Sequence, residues 1–507
     1  MAKKKEFTPV KRSLGDLLGE GYVQSMCRAR SFLTGETYGD LKRMAARKVD
    51  LFPESFQRRL KRLVPRTGDQ VCPALPRSAR GSSTDAFNAA TKTGRAPLTG
   101  MGYFRIGENG KLCMSTKSAH YHAPLGHNFP GYALLETARR LGIPNATHNN
   151  TRGHIARTLE QQLVREAGCT KGPGPILDSV INLETGSLAV EAALKMVLGR
   201  FYKAQEDSPR PQYADRIPVI IVVGNDGGGL QANYHGTTML TQTLRGMWPG
   251  FAERLEKGKL FTVRAVRPNN KADLREVFGK YDKGKYKIAA FFHEIVMMNY
   301  AGTVLEPSFL KLAYRLCKKA DAPTVDDEIQ SCIWHHDMFM FKEWGLRPDF
   351  VALGKGFPGG EYAASRILFN SAFDVLPQFG ALVTNGQEEI ASLAYLVTMA
   401  WARANSKATR RLGEYFEERI RTIGNENEHF IAGINGKRHM LAITFQEVDP
   451  AKAFAAELND QGIDISVQTY KTEVPPAAML KLPLIMDRKA IDSLCFHIEN
   501  ALGNSGE

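Results

Sequence analysis

From residue 101 onward, short unbroken apolar runs alternate with helix-length amphipathic segments, and no other feature limits the fold as strongly. The runs are Val219–Val223, Leu260–Val263, Ile288–Phe292, Ala322–Val325 and Phe350–Leu353. Strands that are apolar at successive positions, rather than at alternate ones, are buried on both faces. Helical spacing separates several of them, as at Lys271–Tyr281 and Glu306–Lys319. This alternation predicts an α/β fold built on a large, mainly parallel sheet covered on both sides. The C-terminal part reads differently. A long helical stretch, Glu388–Ile423, precedes strand-like His439–Phe445 and a closing helix near Ile491–Leu502. That order predicts a smaller α+β domain built from both flanks of the large one. The expected divisions are 1–100 for an extension and connector, 101–165 for the N-terminal part of the small domain, 166–390 for the large domain and 391–507 for the C-terminal small domain. No internal repeat is present.

Charge separates the first segment from the rest. Residues 1–100 carry 20 Lys/Arg against 9 Asp/Glu, or +11 of the net +14. Phe32, Leu33, Leu41, Met44, Leu51, Phe52, Phe56, Leu60 and Leu63 are interleaved with those charges, which predicts amphipathic helices over 1–64 packed on the body or on a second subunit. Residues 65–100 are rich in Pro, Gly, Ser and Thr and read as an irregular connector. A basic segment can also meet nucleic acid, so a nucleic-acid-binding or regulatory role is the alternative from another class, although no zinc-finger or RNP-like motif accompanies it. No apolar run is long enough for a membrane span, and the lysine-rich start lacks a signal peptide's apolar stretch. Seven scattered cysteines, Cys169 among them, include no CxxC pair, so neither a disulfide framework nor a zinc site is expected. The expectation is a cytoplasmic protein with reduced thiols and no bound metal.

Ligand groups in α/β sheets gather past the carboxyl ends of the strands. There the chain places Asp326-Asp327-Glu328-Ile329-Gln330, then Gly354-Lys355-Gly356, then a glycine-rich stretch from Gly224 to Gly229 followed by Asn233-Tyr234-His235-Gly236. Thr185-Gly186-Ser187 opens a helix whose apolar positions recur from Ala189 to Leu198. The glycine-rich 224–229 stretch lacks GxGxxG spacing and so is not a dinucleotide fingerprint, and no GxxxxGK[ST] occurs, which argues against a triphosphate loop. The ordered set suits pyridoxal 5'-phosphate. Lys355, flanked by glycines, can reach the aldehyde carbon as a Schiff base. Asp327, held ionised by the pairing, can keep the pyridine nitrogen protonated. Gln330 can hydrogen-bond the phenolic oxygen. Thr185, Gly186 and Ser187 form a phosphate seat at a helix N-terminus, and Tyr234 can stack on the ring. Each residue alone has an ordinary structural explanation: a turn, an N-cap or a core position. His235 and His293 read singly as satisfied polar residues.

In this order the motifs resemble the class III (omega) aminotransferases, a branch of the fold type I pyridoxal-phosphate enzymes. The resemblance runs from about 102 to 503. It includes Tyr103–Gly110, Leu125–Pro130, Thr185-Gly186-Ser187 with Glu191–Lys195, Tyr234-His235-Gly236, Asp327–Gln330, and Pro348-Asp349 followed by Gly354-Lys355-Gly356 and Gly359-Gly360. It implies Lys355 and Asp327 as catalytic residues, with His235 and Glu294 joining the cofactor-binding set. It further implies that Thr384 reaches the cofactor phosphate of a neighbouring subunit, hence a homodimer with shared active sites. The implied reaction moves an amino group from an amine or amino acid to a keto acid or aldehyde, with Lys355 as proton shuttle. Other reactions of the same cofactor (racemase or epimerase, aminomutase, decarboxylase) are the alternative. Three positions depart from the family pattern. Asn299 stands near a gating glutamate, Thr237 replaces an arginine, and Met479 aligns with the arginine that holds a substrate carboxylate, with Lys481 close by.

Overall fold

The computed structural model describes residues 5–145, 151–168, 177–227, 229–471 and 473–503. Gly228 and Cys169 lie outside them. The longest apolar run becomes the strand Ile217–Asn225, set between Thr262–Val266 on one side and Tyr286–His293 on the other, all parallel. Thr324–Asp327 and Phe350–Leu353 continue the parallel array. Ser365–Phe369 then runs antiparallel to Phe350–Leu353, and Ser179–Leu183 antiparallel to it in turn. Gln231–Ala232 completes an eight-stranded sheet. The expected run at Leu260–Val263 is shifted two residues toward the C-terminus. Leu260 is exposed and lies outside the strand.

Burial on both faces explains the apolar runs. Val219, Ile221 and Phe291 pack into one core, while Ile220, Val222 and Phe292 pack into the other. The helices Lys271–Tyr281 and Pro307–Lys319 cover the first face, and Gly186–Leu198 covers the second. Ser365–Phe369 was not among the predicted strands because Arg366 interrupts its apolar pattern. That arginine is nevertheless 1% exposed and spends its donors on the Leu183 and Ser365 carbonyls and the Ser392 hydroxyl. No helix intervenes between it and Phe350–Leu353. Direct return of the chain makes an antiparallel pair, whereas a parallel pair needs a longer crossover.

The helix Glu389–Glu426 runs from Ser392, beside Arg366, to Arg421, whose guanidinium holds the Ile434 and Gly436 carbonyls. The division expected at 390 therefore falls inside its first turn. Beyond it, Ile431–Lys437, Met440–Phe445, Ala477–Lys481 and Val467–Gln468 form an antiparallel sheet. Ile463–Asp464 pairs in parallel with Leu112–Ser115, so both flanks of the large sheet build the smaller part.

The N-terminal segment forms the helices Leu14–Leu18, Glu20–Thr34, Tyr38–Ala46 and Glu54–Leu63. It is bound to the body. Thr8 N–H donates to Asn405 Oδ1 at 2.8 Å, and Tyr22 stacks on His154 at 4.4 Å. Leu41, Leu51, Phe52 and Leu60 are buried as their spacing predicts, but Phe32 and Leu33 are 90% and 77% exposed. They sit on the last turn of their helix. The connector is not wholly irregular, for it contains a short helix, Asp85–Ala90, and the strand Pro97–Met101. Among the described residues no helix is long and apolar enough to cross a membrane. The six described cysteines are free.

Candidate active site

The sheet register brings the strand-end residues together. Asp327 closes Thr324–Asp327, Glu294 follows Tyr286–His293, and Lys355 lies two residues past Phe350–Leu353. They line one cavity of about 520 Å³ with Thr185, Gly186, Ser187, Tyr234, His235 and Gln330. Nine of the ten expected site positions thus converge. Thr384 does not. It is exposed in the segment before the long helix and lines no part of this cavity.

At one end, Thr185 is the N-cap of Gly186–Leu198, its hydroxyl accepting from Leu188 N–H at 3.4 Å. A helix N-terminus with free N–H groups suits a phosphate. Ser187 Oγ accepts from Thr237 N–H at 3.0 Å, so the residue standing in place of an arginine closes the seat instead of reaching outward. At the other end, Asp327 Oδ2 meets His235 Nδ1 at 2.9 Å, and its Oδ1 accepts from Ile329 N–H at 3.2 Å. His235 is therefore a support for Asp327 as well as part of the wall. Strand alternation sends the neighbouring Asp326 to the opposite face of the sheet, 3.5 Å from His293 Nδ1. His293 Nε2 pairs there with the Tyr314 hydroxyl at 3.0 Å, while its Nδ1 is buried without a hydrogen-bond partner, so the histidine is only half satisfied.

Lys355 has φ +38°, a left-handed conformation that costs a non-glycine residue about 1 kcal/mol or more. Such strain persists only where the surroundings impose it. The next residue must be glycine, since a Cβ on Gly356 would lie 2.3 Å from Trp334. Burial pushes the Lys355 ammonium below its ordinary range, partly offset by Glu294 and Asp327. Glu294 is driven the other way, first by burial and then by the Asp327 charge, so its neutral form is favoured. Asn233 donates to its Oε1, while Glu294 Oε2 and His235 Nε2 are buried with no protein partner. A carboxylate at one end, a half-buried amine between and a helix N-terminus at the other match the groups a pyridoxal phosphate requires.

Several lining residues escaped the sequence reading. His120 and His122 flank Tyr121 in a turn where Ser118, Ala119, His120 and Tyr121 all have positive φ. Nothing in that glycine-free stretch signals a left-handed turn. Tyr362 enters from the hairpin after Lys355. At the mouth, the Arg245 guanidinium lies 4.8 Å from the Tyr234 ring centroid, and the Tyr470 hydroxyl donates to Asn299 Oδ1 at 3.3 Å. Lys471 Nζ donates to the Ala232 carbonyl beside them.

The sequence pattern of the family Aminotransferase class-III matches residues 95–502. The chain belongs to the class III aminotransferases. Its reaction is amino-group transfer, and its cofactor is pyridoxal phosphate. Among its relatives, the ornithine aminotransferase of Bordetella pertussis is 27% identical over 429 residues, 80% of this chain and 90% of that one. A diaminobutyrate–2-oxoglutarate transaminase of Streptomyces avermitilis is 28% identical over 370 residues, 69% of this chain and 80% of the other. The crystal structure of acetylornithine aminotransferase from Elizabethkingia anophelis superimposes with a TM-score of 0.63 at 22% identity, covering 83% of this chain and 97% of that one. That likeness shows the shared fold type I architecture.

Proposed function

We propose that Lys355 carries pyridoxal phosphate as a Schiff base and that Asp327, backed by His235, holds the proton on the pyridine nitrogen. One observation carries this reading: a strained, half-buried lysine shares a single cavity with a buried carboxylate and a capped helix N-terminus. When bound, the cofactor supplies an aldehyde and a ring that takes up an electron pair. With the cofactor bound, the Lys355 amine would take the proton from the carbon beside the substrate's amine nitrogen. The depressed ammonium pKa of Lys355 favours the neutral base this step needs. Thr185, Gly186 and Ser187 seat the phosphate, Tyr234 and Gln330 contact the ring, and Glu294 lines the wall as a neutral acid.

The substrates we propose are an amine at the end of a chain that also bears a carboxylate, and a keto acid or aldehyde acceptor. The names of the relatives, an ornithine aminotransferase and a diaminobutyrate–2-oxoglutarate transaminase, support the first. Arg245, against the Tyr234 ring, and Lys471, on the Ala232 carbonyl, are the proposed partners of that carboxylate. Exposed Thr384, Phe32 and Leu33 support a homodimer in which Thr384 reaches the partner's phosphate. Six free cysteines support a cytoplasmic setting. Borohydride reduction of the yellow holoenzyme should fix the cofactor on the peptide that contains Lys355. A Lys355→Ala protein that keeps both its visible band and its activity would sink the assignment.

A further inference from the structure

Lys481 is the last residue of the strand Ala477–Lys481, which places it behind the cavity rather than within its lining. Its side chain is fully buried, and among the described residues it forms no ion pair with a carboxylate. Nζ lies 3.2 Å from Gln330 Oε1, 3.4 Å from the Tyr121 carbonyl oxygen and 3.7 Å from the centre of the Trp334 ring. Two of these neighbours are acceptors, and the third offers the negative face of an aromatic ring. With Oε1 turned toward it, Gln330 accepts, and Nζ donates. An apolar side chain would fill the same space without the cost of desolvating an amine. Packing therefore gives no reason for a lysine here.

We infer that Lys481 is a positioning residue that locks the Gln330 amide with its nitrogen toward the cofactor cavity. This rests on the proposal that pyridoxal phosphate fills the cavity. A free glutamine amide flips readily and presents oxygen or nitrogen alike. With Oε1 held by Lys481, only the NH2 end is left to face the cavity, where Gln330 is part of the wall. It is then a fixed donor to the cofactor's ionised phenolic oxygen, and the buried amine behind it polarises the amide and strengthens that bond. Burial, followed by the Lys355 charge, pushes the Lys481 ammonium well below its ordinary range. The geometry requires only its N–H groups.

A donor to the phenolic oxygen lowers the proton affinity of the nitrogen joining Lys355 to the cofactor, and that proton is visible in the absorption spectrum. Asp327, Glu294 and Cys332 face Lys355, while Glu294, Cys332 and Lys355 face Lys481; these groups remain the same in every variant below. Absorbance–pH titration of the holoenzyme should show the transition of Lys481→Met raised by about one unit relative to wild type. Gln330→Leu should shift it similarly, and the double variant no further than Gln330→Leu. Lys481→Gln, which keeps a donor and removes the charge, should titrate as wild type. Additive shifts, or a Lys481→Met titration unchanged beside a shifted Gln330→Leu, would overturn the inference. Should Lys481→Met fail to fold, Lys481→Gln decides: a shift equal to that of Gln330→Leu overturns it. A wild-type holoenzyme without a visible band would instead refute the cofactor placement itself.

Discussion

The floor of the cavity and its mouth obey different rules. On the floor, Asp327, Glu294, Lys355 and Thr185 project from strand ends whose spacing is set by hydrogen-bonded register, as in the pairing of Asp327 with Ala352. Asp327 and Lys355 lie in the segments that most resemble the family pattern. At the mouth, Thr237, Asn299, Arg245, Tyr470 and Lys471 stand on connections outside the sheet, and there the family arginine and glutamate are missing. Thr237 and Asn299 are engaged by neighbours within the chain. The contrast teaches that cofactor chemistry is tied to the sheet, which cannot shift without breaking its ladder, while substrate recognition lies on loops that change without disturbing it.

The largest effects should come from the floor. Lys355→Ala should lower kcat for amino transfer by about 10³-fold or more in a steady-state assay, since both the covalent attachment and the proton shuttle are lost. Asp327→Asn should cost on the order of 10²-fold in kcat, with the protein still folded by circular dichroism. Comparable losses from mouth substitutions would break the division. At the mouth, Arg245→Ala should raise KM for a carboxylate-bearing substrate about tenfold with kcat nearly unchanged, the cost of one charge-assisted hydrogen bond. Its effect should vanish with an uncharged amine.

A smaller pH effect sharpens the same contrast. Burial, and then the Arg245 charge, push the Lys471 ammonium down to about 8. A lysine that must be protonated to hold a carboxylate loses its grip as pH rises through that value. KM for the anionic substrate should therefore climb above about pH 8, and Lys471→Arg should flatten the climb. In Arg245→Ala the rise should move to higher pH, because the repelling charge is gone. The smallest expected change is in Thr384→Ala, a few-fold weaker retention of cofactor on dialysis, reflecting one lost hydrogen bond. If light scattering shows a monomer with full retention, the shared-site arrangement is excluded.

Much of the floor was legible in the sequence because strand ends are local features. Apolar runs two to five residues before Asp327 and Lys355 announce both positions. Ser365–Phe369 was hidden, since a fully buried arginine looks polar until its three acceptors are known. Phe32 and Leu33 were misjudged because helical spacing tells which residues share a face, and not whether that face has a neighbour. In the sequence Lys481 stands only near the position of a missing substrate-binding arginine. Its place behind Gln330 joins positions 151 apart in the chain, which no local pattern encodes.

By itself, the sequence determined the α/β architecture, the cofactor and the strand-end residues, because periodicity and motif spacing report directly on local backbone and on which faces are buried. Only the tertiary structure decided that Asp327 faces the cavity while Asp326 faces the opposite core, that Thr237 and Asn299 are engaged within the chain, and that Lys481 grips Gln330. These outcomes depend on strand register and side-chain direction between distant segments, and register is fixed when the sheet assembles rather than by any one segment within it.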